Sequence, residues 1–377
     1  MASRINPSAE INSLISTSAP NNLHIERKEE SVISSMGARK SGKGPTSLFP
    51  ILDKLFNFVQ NYSKTLNSIK TPLLYSLTPA TRLLFFILLV IACFSLTFLT
   101  GLLLAGPLMG TGIEEILGSL TDIEGAQTLR ILQYFQVIQS IGLFIIPTLL
   151  AGYLFENNTP GFLKADRFSN GMVYTFVAII MFSMLPLINW MVSVNEMMKL
   201  PGFLSDLESW MRKTEDQAAR LTEMFMKMPD TGSFLFNLLM IAILPAIGEE
   251  FLFRGVLQRL LGDWIKNIHI AIFITAFLFA AMHLQFYGFL PRFMLGLLFG
   301  YLLYWSGSLW VPVVAHFLNN GAAVVVSFLG QHGVADLDYE HFGATNNCWI
   351  ILLSAVVTAL FLFLIRKKSI ADGFIIH

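Results

Sequence analysis

"LPAIGEEFLFRGVLQ", Leu244 to Gln258, sets two adjacent glutamates and an arginine into a run that otherwise reads as a lipid-buried helix. An ionisable side chain inside a membrane span costs on the order of 3 kcal/mol on insertion scales, so each needs a partner, a polar cavity or a function. Glu250 and Arg254 stand at i and i+4 with the acid N-terminal to the base, the favourable order for an ion pair on one helix face. Glu249 is turned about 100° from Glu250, away from Arg254. A carboxylate with no local cation in an apolar bundle suits a general base. The structural alternative is that Glu249 snorkels or pairs with a basic residue of another helix.

The composition around this stretch is that of a polytopic membrane protein. The chain has 377 residues, 54% of them hydrophobic and 13% charged, against roughly 25% charged in soluble domains, and its mean hydropathy is +0.62. A formal net charge of zero gives no reason to expect nucleic acid as a partner. Cys93 and Cys348 lie far apart in or beside apolar runs, which excludes a disulfide framework and a cysteine zinc ribbon.

A hydrocarbon core of about 30 Å takes roughly 20 helical residues to cross. The windows that qualify are 83–106, 131–155, 170–194, 233–260, 268–284, 290–305, 309–329 and 349–365, about eight spans. The expected fold is an all-α polytopic bundle with a polar catalytic cavity, occupying residues 81–368 with a catalytic core at about 230–330. Residues 1–46, rich in Ser, Asn, Pro and charge, read as a disordered tail, 47–80 as an amphipathic juxtamembrane segment, and 369–377 as a C-terminal tail. The Lys/Arg asymmetry places Lys164, Arg167, the segment 254–266 and the final "RKK" at 366–368 in the cytosol, with both termini. Glu114, Glu115, Asp122, Glu124, Asp336, Asp338 and Glu340 then fall outside. The expected location is the cell membrane.

Between the third and fourth spans, Leu204, Leu207, Met211, Leu221 and Phe225 recur at helical spacing with charge between them. This segment should cap the bundle, as packing in preference to a substrate gate.

Downstream, "FAAMH" sets Phe279 and His283 at i and i+4, an aromatic ring and an imidazole on one face. A lone histidine on an apolar face is more often a satisfied core residue. "HFLNN" sets His316 and Asn320 at i and i+4, two neutral donors of the kind that build an oxyanion hole, with Asn319 turned away. Three consecutive segments thus bring polar groups into the membrane at helical spacing. Together they describe hydrolysis: a carboxylate and an imidazole to activate water, and a second imidazole with an amide to hold the oxyanion.

"EEFLFR", "FAAMH" and "HFLNN" resemble, in order and spacing over residues 230–330, the EExxxR, FxxxH and HxxxN motifs of the CAAX protease and bacteriocin-processing family of intramembrane peptidases. The resemblance implies that Glu249 activates water with His283 as partner, that His316 and Asn320 bind the oxyanion, and that Glu250 and Arg254 support them. The family is also labelled a metalloprotease, and Glu249, His283 and His316 could make a His₂Glu zinc site. With HExxH absent and Asn320 beside His316, the metal-free glutamate and histidine mechanism is preferred, and no residue is assigned to metal.

The expected activity is therefore an intramembrane endopeptidase acting on a membrane-associated protein or peptide. The rivals are a non-catalytic membrane protein, such as a bacteriocin self-immunity factor or a scaffold, and a proton-coupled transporter, for which internal repeats are lacking. Gly296 and Gly300, in GxxxG spacing, predict close helix packing inside one protomer or in a homo-oligomer. Arg292 should meet lipid phosphate or backbone carbonyls, ahead of a substrate carboxylate.

Overall fold

Long apolar runs separated by Gly, Pro and Asn turns give helices wherever the backbone must satisfy itself without water. The computed structural model describes residues 72–119, 126–334 and 341–371, and the elements there are helical with no strand. The tail 1–46, the juxtamembrane segment up to residue 71, Asp122, Glu124, Asp336, Asp338, Glu340 and residues 372–377 lie outside the described residues.

Helix α1 is Pro79–Met109, opened by the Thr78 side chain and Pro79 and closed at Gly110 in the left-handed region. Helix α2 crosses as Thr128–Glu156. Gly171–Ser183 (α3) and Leu185–Glu196 (α4) form one span bent by 45°, at the point where Pro186 removes a helix hydrogen bond. The amphipathic helix α5, Ser205–Phe225, follows. Helix α6 runs as Thr231–Ile265, capped by Asp230, whose carboxylate accepts from the Ser233 backbone N–H at 2.8 Å. Then come α7 (Ile268–Met282), α8 (Phe289–Ser306), α9 (Trp310–Gln331) and α10 (Cys348–Ala371). Six of these are long and apolar enough to cross a membrane, the bent pair makes a seventh, and α7 is shorter. Of the eight expected windows, six coincide with helices of spanning length, 170–194 falls on the bent pair, and 268–284 falls on the shorter α7.

The unequal lengths of α6 and α7 set the height of the site. Straight spans of equal length, entered from residues 233 and 268, would leave Glu249 and His283 at different depths. Helix α6 instead continues to Ile265 before the turn at Lys266 and Asn267, and α7 stops at Met282. At 1.5 Å per residue Glu249 lies about 24 Å back from the end of α6, and His283 about 22 Å forward from the start of α7. The two helices hang from one hairpin, so the residues meet at one level.

Three turns widen from α to π geometry: Ser140–Ile145 in α2, and Leu238–Ile243 and Phe251–Leu257 in α6. Pro147 and Pro245 each stand just beyond the first two. A proline cannot donate to the carbonyl four residues back and its ring crowds that carbonyl, which a wider turn relieves.

The Gly296–Gly300 pair packs α8 onto α7 inside the protomer. A methyl added at Gly296 would stand 3.0 Å from the backbone Cα of Ala276, and one at Gly300 would stand 2.8 Å from Ile272 Cγ2. Backbone cannot move aside as a side-chain tip can. Gly296→Leu should therefore lower stability in detergent thermal unfolding by about 1–3 kcal/mol. Gly171→Ala, with nothing within 4 Å of the added carbon, should leave the unfolding temperature unchanged.

Candidate active site

The core of the site is one carboxylate with two donors on one of its oxygens. Glu250 is fully buried, and its Oε1 accepts from Arg254 Nη1 at 2.8 Å and from His316 Nδ1 at 2.9 Å. The expected i,i+4 pair is present, and the same oxygen also holds α9 through His316. Arg254, 1% exposed, donates onward from Nη2 to the Gly296 carbonyl at 3.1 Å, and its guanidinium lies 4.5 Å from the Phe279 ring and 5.3 Å from that of Phe299. An unpaired charge here would cost several kcal/mol, and the Arg254 and His316 contacts answer that of Glu250.

Phe279 makes the intervening contacts. Its ring stands 5.1 Å from that of His283 and 6.0 Å from that of His316, while Phe299 stacks on His316 at 5.3 Å. The histidine tautomers follow from their partners. His283 Nδ1 lies 2.8 Å from the Phe279 carbonyl, which only accepts, so Nδ1 carries the hydrogen and Nε2 is left with a lone pair. His316 Nδ1 donates to Glu250 in the same way, and its Nε2 faces Glu249 Oε2 at 4.0 Å.

Glu249 and His283 line one cavity of about 540 Å³, together with Asn319, Asn320, Gln285 and Arg292. The structure thus brings Glu249, His283 and Asn320 to one space. His316, 4% exposed, sits behind Glu249 and does not line the cavity wall. The picture of His316 and Asn320 converging as two free donors is altered in detail. The Asn320 amide donates to the Ile241 carbonyl at 3.0 Å, and Asn319 donates to Asn320 Oδ1 at 3.1 Å. Pro245 explains the first bond. It stands four residues after Ile241 and has no N–H to give that carbonyl, so the π turn leaves it open to Asn320.

Sequence reasoning missed Asn319, Gln285 and the place of Arg292. Arg292 lies in the cavity wall and donates to the Gln285 side chain, so neither lipid phosphate nor a backbone carbonyl is its partner. The one available signal was an arginine inside an apolar window; nothing in it says which cavity the chain turns toward. Helix α5 closes another side with Leu221, Thr222 and Phe225. It is fastened to the turn after His283: Glu215 Oε2 accepts from the Tyr287 N–H at 3.1 Å, and Arg212 lies 4.6 Å from the Tyr287 ring.

Among the described residues no three His, Cys, Asp or Glu side chains are grouped to hold a metal. The Nδ1 bonds of both histidines to oxygen acceptors leave each Nε2 as the free ring nitrogen.

Removing Arg254 alone would strand the Glu250 charge. Arg254→Ala should cost about 3–5 kcal/mol, read as loss of folded protein in detergent thermal unfolding and size-exclusion recovery.

Residues 231–322 match the family described as type II CAAX prenyl endopeptidase Rce1-like. The chain is also 33% identical over 109 residues, 28% of its length and 52% of the other's, to "Uncharacterized protein YpbD" of Bacillus subtilis (strain 168). It therefore spans about half the length of that curated relative. No solved structure matches the chain. Glu249, Glu250, Arg254, His283, His316 and Asn320 all fall within the residues that are similar to that Rce1-like family, in a polytopic helical membrane bundle.

Proposed function

We propose that the protein is an intramembrane endopeptidase that hydrolyses a peptide bond in a membrane-associated protein or peptide, with water activated by Glu249 and His283. The observation that carries this reading is the shared cavity of Glu249 and His283, two side chains from different helices brought to one level beside an amide cluster. Water bound between the Glu249 carboxylate and the His283 Nε2 lone pair loses a proton to Glu249 as its oxygen attacks the peptide carbonyl carbon. The new oxyanion takes a hydrogen bond from the second N–H of the Asn320 amide, whose first is held by the Ile241 carbonyl, while His316 stands behind Glu249 with its Nε2 4.0 Å from Oε2. The proton held by Glu249 then passes to the amide nitrogen as the carbon–nitrogen bond breaks. Arg254 holds Glu250 in place, and Glu250 keeps the His316 ring turned toward Glu249. No step is routed through a metal.

The matched domain supports the peptidase class, and the substrate is proposed only as membrane-associated, without assuming a prenyl group. Glu249→Gln preserves shape and removes the base, so cleavage should fall by about 10²–10⁴-fold with the fold intact. His283→Ala should fall comparably. The measurement is terminal proteomics of membranes from cells expressing wild type or Glu249→Gln at matched levels. New peptide termini seen with the wild type alone would name a substrate. Identical termini, with both proteins folded, would favour the non-catalytic immunity or scaffold reading.

A further inference from the structure

Among the described residues α6 carries five buried polar atoms without a hydrogen-bond partner: Asn237 Oδ1 near its start, and then Glu249 Oε2, Glu250 Oε2, Arg254 Nε and Gln258 Oε1. Glu250, Arg254 and Gln258 follow one another at steps of four through the π turn, so they stack along one face. The other end of each of these three side chains is pinned. Glu250 Oε1 is held by Arg254 and His316, Arg254 Nη2 by the Gly296 carbonyl, and Gln258 Nε2 by the Gly300 carbonyl at 3.2 Å. What remains is a row that alternates acceptor, donor and acceptor, with its inner end at Glu249.

Orphaned buried polar atoms cost about 1–3 kcal/mol each, and native proteins carry few of them. Three in line on one helix face, with Glu249 Oε2 beside their inner end, are what bound water satisfies, since a buried water needs two to four polar partners. Each end of the row opens into a cavity. At the inner end is the space at Glu249 and His283. At the outer end is a second cavity of about 610 Å³, whose wall includes Arg254 and Gln258 and whose rim carries Lys164, Arg167, Asp263 and Lys266, all exposed.

We propose that a file of water molecules runs along this face of α6, from the charged rim of the outer cavity past Gln258, Arg254 and Glu250 to Glu249. Its role as the supply of the water consumed in hydrolysis rests on the peptidase reading above. A peptide seated in the inner cavity, which α5 walls on one side, displaces water from that cavity, and each turnover then needs water by another way. The glycines keep the way narrow. A methyl at Gly300 would stand 2.9 Å from Gln258 Oε1, and one at Gly255 would stand 2.8 Å from Leu163 Cδ2.

The test is X-ray hydroxyl-radical footprinting of the full chain in nanodiscs, which oxidises side chains beside bound water and does not depend on peptidase activity. Phe253, Phe279 and Phe299 stand 5.8, 4.5 and 5.3 Å from the Arg254 guanidinium and are 1%, 4% and 1% exposed. Phe86, 2% exposed and carried by α1, which contributes no atom to the row, is the reference. The expected result is oxidation of the three rings at least several-fold faster than of Phe86, in wild type and in Glu249→Gln alike. Gln258→Leu, which removes the outermost polar member and leaves the Glu250 contacts in place, should slow their labelling several-fold. It should also lower kcat about tenfold while KM holds. Labelling of the three rings no faster than Phe86 in the wild type would overturn the proposal, whatever the variant does. Fast labelling in a protein that cleaves nothing would overturn the peptidase reading and leave the water file standing.

Discussion

Everything around the site depends on the charge of Glu250 being answered inside the bundle. Water cannot solvate it, so the answer comes from Arg254 one turn along α6 and from His316 on α9. Arg254 in turn reaches the Gly296 carbonyl of α8 and the aromatic faces of Phe279 and Phe299. One carboxylate thereby ties α6, α8 and α9 together and gives α7 its contact through Phe279. Unlike apolar packing, which tolerates small slides, these directed contacts are made in a single arrangement.

That arrangement leaves the neighbouring Glu249 without a cation of its own and turned to a cavity. The division of labour between adjacent glutamates follows from helix geometry: residues about 100° apart cannot both face the same partner. Phe279 separates the two histidines while touching both rings, and the carbonyl it presents to His283 Nδ1 sets that ring's tautomer. The aromatic and the imidazole one turn apart therefore act as a unit.

Local departures from ideal helix geometry are what aim the remaining groups. Pro245 removes a backbone donor, the turn before it widens, and the Ile241 carbonyl so freed receives Asn320. Helix α5, polar on one side and apolar on the other, lies against the turn that follows His283 and completes the cavity with Leu221, Thr222 and Phe225. Gly296 and Gly300 lend α8 both a close approach to α7 and two carbonyls for Arg254 and Gln258.

The sequence by itself determined the helical class, the windows that became helices, the Glu250–Arg254 pair and the places of Glu249, His283 and Asn320 as polar groups in apolar segments. These are all readable because hydropathy over about 20 residues and spacing within one helix are local properties. What only the tertiary structure decided is how separate helices meet. That His316 answers Glu250, that α6 outruns the expected window so that Glu249 and His283 come level, and that Arg292 and Asn319 join the cavity depend on rotation and offset between helices. So does the wall made by α5. Those quantities are set by contacts between residues far apart in the chain. No period within a single segment encodes them.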